Sequence, residues 1–143
     1  MGEIQHLADG EDRRHHLRDR GPGEYPEGTR RPPGAEPIYK YGIARMYRDL
    51  GIPVVAVAMH PGLFWPRRTF RKYPGHLKVR ILPPIEPGLD PDAFFARLVE
   101  ETERASDELL VETIANNPHL PIPPTAAKRL AEISNAKVAA AVI

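Results

Sequence analysis

Apolar residues recur every three or four positions between Tyr39 and Leu50, which predicts a helix with one buried face. The positions that form this face are Ile43, Met46, Tyr47 and Leu50. Gly51 stands where a left-handed C-terminal cap belongs, and Pro53 prevents the helix from continuing. The pattern therefore places the end of this helix at Leu50.

Two strands are predicted after this helix. Val54 to Met59 is an unbroken apolar run, typical of a strand covered on both faces in a mostly parallel sheet. Leu77 to Leu82 alternates apolar with basic residues, which predicts a half-exposed or edge strand. A long loop over 60–76 joins them. Because a helix, a cap and a buried strand follow one another as in half of a βαβ unit, the fold class is predicted to be α/β.

A longer helix is predicted from Asp90, whose carboxylate suits an N-cap, with Pro91 at the first helical position. An apolar stripe continues to Asn116, where Asn and Pro end the pattern. The remaining residues, 116–143, are predicted to be a Pro-rich linker and a tail helix over 126–137, with Thr125 as its cap.

The first 23 residues are polar, dense in charge and nearly without large apolar side chains, so we expect a disordered leader. Across the chain 20 Lys and Arg balance 19 Asp and Glu, which argues against a uniformly basic nucleic-acid binder. There is no Cys, and hence no thiol nucleophile or thiolate metal site. No apolar run approaches the roughly 20 residues of a membrane-spanning helix, and the start lacks the apolar stretch of a signal peptide.

The first candidate site is the segment Tyr25-Pro26-Glu27-Gly28-Thr29-Arg30. Gly28 would let main-chain N–H groups approach an anion, and Thr29 can donate a further hydrogen bond. The guanidinium of Arg30 suits bidentate binding of phosphate. Taken alone the segment also fits a solvated turn, so its context has to decide between the two interpretations.

That context resembles the 1-acyl-glycerol-3-phosphate acyltransferases of the glycerolipid acyltransferase superfamily. The phosphate-loop motif of this family, Phe-Pro-Glu-Gly-Thr-Arg, is matched with Tyr25 in place of Phe, and the family's Ile/Val-Pro-Val-Val-Pro-Val run is matched over 52–57 with Ala56 in place of Pro. The resemblance extends through GLFWPRRTFRKYPG and ILPPIEPGLD to about residue 115. It implies a partial αβα sandwich, with 24–115 as the later part of the acyltransferase domain.

The function implied by the resemblance is transfer of an acyl group from acyl-CoA or acyl carrier protein to lysophosphatidic acid, giving phosphatidic acid, without a further cofactor. Carried over by position, Glu27, Gly28, Thr29 and Arg30 would bind the glycerol phosphate. The location implied is peripheral, on the cytoplasmic face of a membrane.

The catalytic residues of the family have no match in the sequence. The family's general base is a His with an Asp five positions later, whereas Asp19 follows His15 by four positions and His16 by three. We therefore assign no catalytic residue, and a catalytically silent phosphate- or lipid-binding module stays open as an alternative. His60 and the other isolated histidines, flanked by Pro or Gly, are read as loop residues rather than metal ligands.

The second candidate site is the loop around Trp65, Arg67, Arg68 and Arg71, where four cations and four aromatics alternate within ten residues. Such a mixture favours contact with an anionic membrane surface or with an acidic acyl carrier. A structural alternative tucks Phe64 and Trp65 into the core and leaves the arginines solvated. Binding of single-stranded nucleic acid by stacking is a further alternative, which the balanced net charge disfavours.

Overall fold

The computed structural model describes residues 31–142, which form a broadly α/β arrangement of helices around a small sheet. The leader over 1–23 therefore lies outside the described residues, and its predicted disorder stays a prediction. In chain order the elements are α1 (Gly42–Leu50), β1 (Val57–Met59), α2 (Pro61–Phe64), β2 (Val79–Ile81), α3 (Pro91–Asn116) and α4 (Pro124–Ala141).

Helix α1 ends as predicted. Gly51 adopts a left-handed conformation at φ 59°, and its N–H donates to the carbonyl oxygen of Tyr47 at 3.1 Å. The buried face is formed by Ala44 and Tyr47, and the Tyr47 ring stacks on Phe94 of α3 with 3.8 Å between the ring centroids. Leu50, predicted on this face, is exposed. Stacking of Tyr47 therefore fixes α1 against the long helix.

The sheet differs from the prediction of a strand buried on both faces of a mostly parallel sheet. Strand β1 runs antiparallel to β2, with Val57 opposite Ile81 and Met59 opposite Val79. Of the three β1 residues only Ala58 is buried. The prediction was wrong because an unbroken apolar run records no strand direction, and one face of this sheet carries no helix among residues 31–142. Among the described residues β2 is an edge strand, as predicted, but it spans only Val79–Ile81, and its faces are reversed, since Val79 and Ile81 are exposed and Arg80 is partly buried.

Helix α3 is the centre of the fold, since α1, the sheet and α4 all pack against it. Its start confirms the prediction: the Asp90 carboxylate accepts from the backbone N–H groups of Asp92 and Ala93, and Pro91 occupies the first turn. Three clusters of buried side chains lie along the helix. The α3 residues that are buried are Phe94, Leu98, Ala105, Leu109, Leu110 and Thr113.

Helix α4 is longer than the predicted 126–137, because it begins at Pro124 and runs to Ala141. Thr125 does not cap it. The residue before the helix is Pro123, and the Thr125 hydroxyl instead donates to the carbonyl oxygen of Pro33 at 2.7 Å. The capping prediction failed because a threonine near a helix start is equally suited to bond a distant segment.

Candidate functional site

The motif residues Glu27, Gly28, Thr29 and Arg30 lie outside the described residues, so their assignment stays a prediction. The described chain begins at Arg31, the next residue along. The segment 31–38, which directly follows the motif in the chain, connects the motif to the described fold.

A tight turn opens this segment. The N–H of Ala35 donates to the carbonyl oxygen of Pro32 at 3.1 Å, and Nη2 of Arg31 donates to the carbonyl oxygen of Glu36 at 2.8 Å. Gly34 adopts the left-handed conformation, at φ 72°, that the turn requires. The hydrogen bond from Arg31 spans the turn and holds its two ends together.

The turn is packed between α2 and α4. A β-carbon added at Gly62 of α2 would lie 3.0 Å from Cδ of Pro33, and one added at Gly34 would lie 2.6 Å from Cα of Ala126 in α4. Pro33 also accepts the hydrogen bond from Thr125. The chain leaving the motif is thus fixed on two sides by elements distant in sequence.

At the end of α2 and the start of the loop that follows it, one of the two adjacent aromatic residues is packed in the core and the other is exposed. Phe64 packs with Leu63 and Tyr73 in a core cluster, and the N–H of Tyr73 donates to the carbonyl oxygen of Phe64 at 2.8 Å. Trp65 is 60% exposed, and Nζ of Lys72 lies 4.2 Å from its ring centroid, within the range of a cation–π interaction. One aromatic therefore anchors the loop while the next faces solvent.

The cations of this loop also face solvent. Arg67, Arg68 and Arg71 are exposed, as is the whole Phe70 ring between them. Arg68 has φ 58°, an uncommon conformation for a residue with a side chain. The loop presents a concentrated positive charge beside exposed aromatic rings, which attracts anions. Lys72, one of the four cations of the sequence pattern but not among the predicted contact residues, is a further member of this basic loop.

His60 is buried between β1 and α3, which the sequence did not indicate. Its Nε2 lies 2.8 Å from the carbonyl oxygen of Ser106 and 3.4 Å from the Ser106 hydroxyl. Burial lowers the pKa of His60, opposed by the hydrogen bond to Ser106 and by the charge of Asp107. A neutral imidazole that donates from Nε2 to the carbonyl therefore ties the end of β1 to α3, next to the start of α2.

The described part of the chain thus contributes a packed turn, a solvent-exposed basic loop and a buried histidine, and we assign no catalytic residue among them. The packed turn at 31–38 contacts α2 through Pro33 and Gly62, and the basic loop follows α2 along the chain. His15 and His16 lie outside the described residues. Within 31–142, no helix has the length and apolar character needed to cross a membrane.

Comparison with known proteins gives one informative similarity. No family model matches the chain, and no solved structure matches it. The chain is 30% identical over 91 residues to a 1-acyl-sn-glycerol-3-phosphate acyltransferase of Pseudomonas aeruginosa. The match covers 64% of this chain and 34% of that relative, so the chain spans about a third of the relative's length. This similarity supports a relationship to the acyltransferases at the level of the family.

Proposed function

We propose that this chain supplies the glycerol-phosphate-binding part of an acyltransferase of phospholipid biosynthesis. The reaction would transfer an acyl group from acyl-CoA or acyl carrier protein to 1-acyl-glycerol-3-phosphate, giving phosphatidic acid. The similarity to the Pseudomonas aeruginosa acyltransferase supports the family. The sequence motif at Glu27–Arg30 supports the assignment of the binding residues.

The observation that carries the proposal is the packing of Pro33 against Gly62. The segment that leaves the motif thereby contacts the short helix from which the basic loop emerges. The guanidinium of Arg30 would donate two parallel N–H hydrogen bonds to a bound phosphate, and the Thr29 hydroxyl and the Gly28 backbone N–H would donate further ones. The exposed cations of the basic loop would add long-range attraction for the same dianionic headgroup.

The fold proposed for the family, a partial αβα sandwich, is supported by the uncovered side of the sheet. Val57, Met59, Val79 and Ile81 form an exposed apolar face opposite α3. Apolar side chains gathered on one face are typical of a surface that packs against another layer. We propose that in a sandwich of this type a further layer, absent among residues 31–142, would pack on this face.

The basic loop is proposed to contact an anionic membrane surface, which corresponds to a peripheral location on the cytoplasmic face. Trp65 and Phe70 are exposed beside Arg67, Arg68 and Arg71, a combination that suits the headgroup region of a bilayer. Co-sedimentation with vesicles containing phosphatidylglycerol tests this. Charge reversal by Arg67→Glu with Arg68→Glu should weaken binding, whereas unchanged binding would refute the membrane contact.

Calorimetric titration with glycerol 3-phosphate tests the binding site itself. Wild-type chain should bind saturably, and Arg30→Ala should weaken binding by at least about 10-fold, because a bidentate charge-assisted contact is lost. Arg104→Ala, which removes an exposed cation from α3, is the matched control and should bind like wild type. Equal affinity of the Arg30 and Arg104 variants would contradict the proposed site.

A catalytically silent binding module is the second candidate, favoured by the spacing of His15 and His16 from Asp19. Under either candidate we expect very low acyl transfer from acyl-CoA by this chain, because it offers no general base with the family's spacing. Transfer at the rate of a complete acyltransferase, abolished by Arg30→Ala, would show that a base had been overlooked.

A further inference from the structure

Phe70 is an apolar residue whose side chain is wholly exposed and lies among the cations of the basic loop. We propose that Phe70 is a membrane-inserting residue, which passes below the phosphates of an anionic bilayer while the neighbouring cations stay among the headgroups. This role for Phe70 rests on the proposed contact between its loop and a membrane surface. It adds the mode of that contact, because a loop that inserts a side chain binds differently from one that meets the surface through charge alone.

The chain around Phe70 has charge of one sign. No acidic residue occurs over 50–85, although acidic and basic residues are nearly balanced over the whole chain. Arg68, Arg71 and Lys72 are exposed beside Phe70. These cations complement anionic headgroups, and their attraction adds up when several lie close to the bilayer. A bilayer offers both partners that the loop needs, since an apolar interior lies directly behind its anionic layer.

Local hydrogen bonding directs Phe70 outward. The backbone N–H of Arg71 donates to the Thr69 hydroxyl at 3.1 Å, which forms a side-chain turn with Phe70 at its centre. Arg68, just before this turn, has a left-handed φ of 58° and belongs to a turn of its own. The exposed position of the ring is therefore set by the loop backbone, so the ring does not have to leave a core in order to insert.

Both ends of the loop are fixed to the folded chain. The Tyr73 N–H donates to the Phe64 carbonyl oxygen, and Nε2 of His119 lies 2.7 Å from the carbonyl oxygen of Pro74. A β-carbon at Gly75 would lie 2.5 Å from the Phe64 ring, so the two ends of the loop lie in direct contact. Because the segment between these ends is short and fixed at both sides, it loses little conformational entropy when it meets a bilayer.

Trp65 is a second exposed aromatic residue, for which we expect a shallower position. Its ring is 60% exposed, and the Lys72 ammonium lies 4.2 Å from the ring centroid. A ring in contact with a cation stays near the headgroups, where tryptophan is enriched in membrane proteins. Trp65 is also the single tryptophan of the chain, so its fluorescence reports on this loop alone. We therefore expect residue 70 to lie deeper in the bilayer than residue 65.

Binding to vesicles that contain phosphatidylglycerol tests the contribution of the ring. Phe70→Ala should weaken binding about 10-fold, near the lower end of what burial of a phenylalanine contributes, and Phe70→Leu should restore most of the affinity. Its melting temperature should equal that of wild type, because the ring is wholly exposed. Ile81→Ala is the matched control, since it truncates an exposed apolar residue of β2 outside the loop. It should bind like wild type, and equal weakening by the two alanine variants would overturn the inference.

Quenching of tryptophan fluorescence by brominated lipids measures the depth of each position. The wild-type chain reports from Trp65, and the double variant Trp65→Phe with Phe70→Trp reports from residue 70. Lipids brominated in the middle of their acyl chains should quench the tryptophan at residue 70 more strongly than the one at residue 65. Equal or weaker quenching at residue 70 would overturn the inference.

The outcomes separate this role of Phe70 from the proposed function. Vesicle binding that Phe70→Ala leaves unchanged would contradict insertion while the proposed membrane contact stands. A wild-type chain that binds no anionic vesicles, or binds acyl carrier protein instead, would overturn both the contact and the insertion. Insertion by a chain that does not bind glycerol 3-phosphate would support the role of Phe70 and contradict the proposed phosphate site.

Discussion

The ion pair between Arg129 and Asp107 should be the strongest polar contact between α3 and α4. Nε of Arg129 lies 2.7 Å from Oδ1 of Asp107, and Nη2 lies 2.8 Å from Oδ2, so the contact is bidentate. The Asp107 carboxylate raises the pKa of the Arg129 guanidinium. We consider Arg129→Met, which keeps most of the aliphatic stem, Asp107→Asn, and the double substitution.

The expected coupling follows from geometry and exposure. Fully exposed pairs contribute about 0.2–1 kcal/mol, whereas hydrogen bonds to charged groups contribute about 1.5–3 kcal/mol. The side chains of Arg129 and Asp107 are 30% and 27% exposed, so water screens them only in part. We therefore expect a coupling free energy of about 1–2 kcal/mol in a double-mutant cycle. The secondary contact from Arg129 to Glu132, at 3.3 Å, cancels in the cycle.

Urea unfolding of the four proteins measures this coupling. The pair Arg97–Glu101 is a matched control, because it also joins Arg to a carboxylate at 2.8 Å but lies within a single helix as an i,i+4 pair. Its coupling should be about 0.3–0.5 kcal/mol. A coupling free energy for Arg129–Asp107 no larger than that of the control would refute the argument that this pair stabilises the packing of α4 against α3.

Three further predictions concern the core around the site. Burial holds the pKa of His60 below the ordinary 6.5, so below about pH 6.5 the folded chain binds fewer protons at this residue than the unfolded chain. The free energy of unfolding should therefore be highest above about pH 6.5 and should decrease as the pH falls toward the lower pKa of the folded chain. Urea unfolding at pH 8 and pH 5 should show a smaller decrease for His60→Asn than for wild type. Tyr47→Phe keeps the stacked ring but removes a hydroxyl that donates to the Glu86 carbonyl and accepts from the Leu89 N–H. The free energy of unfolding should fall by about 1–2 kcal/mol, and the melting temperature by roughly 4–8 °C for each kcal/mol lost. An unchanged melting temperature would contradict the two hydrogen bonds. Val57 is exposed, so Val57→Lys should change the free energy of unfolding by less than about 1 kcal/mol, whereas Ala58 is buried and Ala58→Lys should prevent folding. A larger destabilisation by Val57→Lys than by Ala58→Lys would show that the two faces of β1 are assigned wrongly.

Local signals predicted the start of α3 and the end of α1, but not the start of α4, where Thr125 is not the cap. Asp90 and Pro91 define the start of α3, and Gly51 the end of α1, through interactions confined to a few neighbouring residues. At those two ends the capping interactions are local, whereas the Thr125 hydroxyl bonds the distant Pro33 carbonyl instead of capping its own helix. The sheet is different, because its direction depends on where the chain returns after 60–76, and the apolar run at Val54–Met59 is compatible with either direction.

The candidate site was predictable in composition but not in arrangement. The cations around Arg67 and Arg71 could be named from the sequence, and they are exposed. The sequence could not distinguish the two adjacent aromatics: Phe64 is partly buried in a core cluster, while Trp65 is exposed. The contact between Thr125 and Pro33 joins segments far apart in sequence, and no local pattern reveals such a pair.

The central claim is that Glu27 to Arg30 binds the phosphate of a lysolipid headgroup. The most direct measurement follows the backbone amide signals of Gly28, Thr29 and Arg30 while glycerol 3-phosphate, and then its monoacyl ester, is added to the wild-type chain. We predict saturable shifts of these three signals with both ligands, and their loss with Arg30→Ala. Amide signals that stay in place at saturating concentrations of both ligands would contradict the claim.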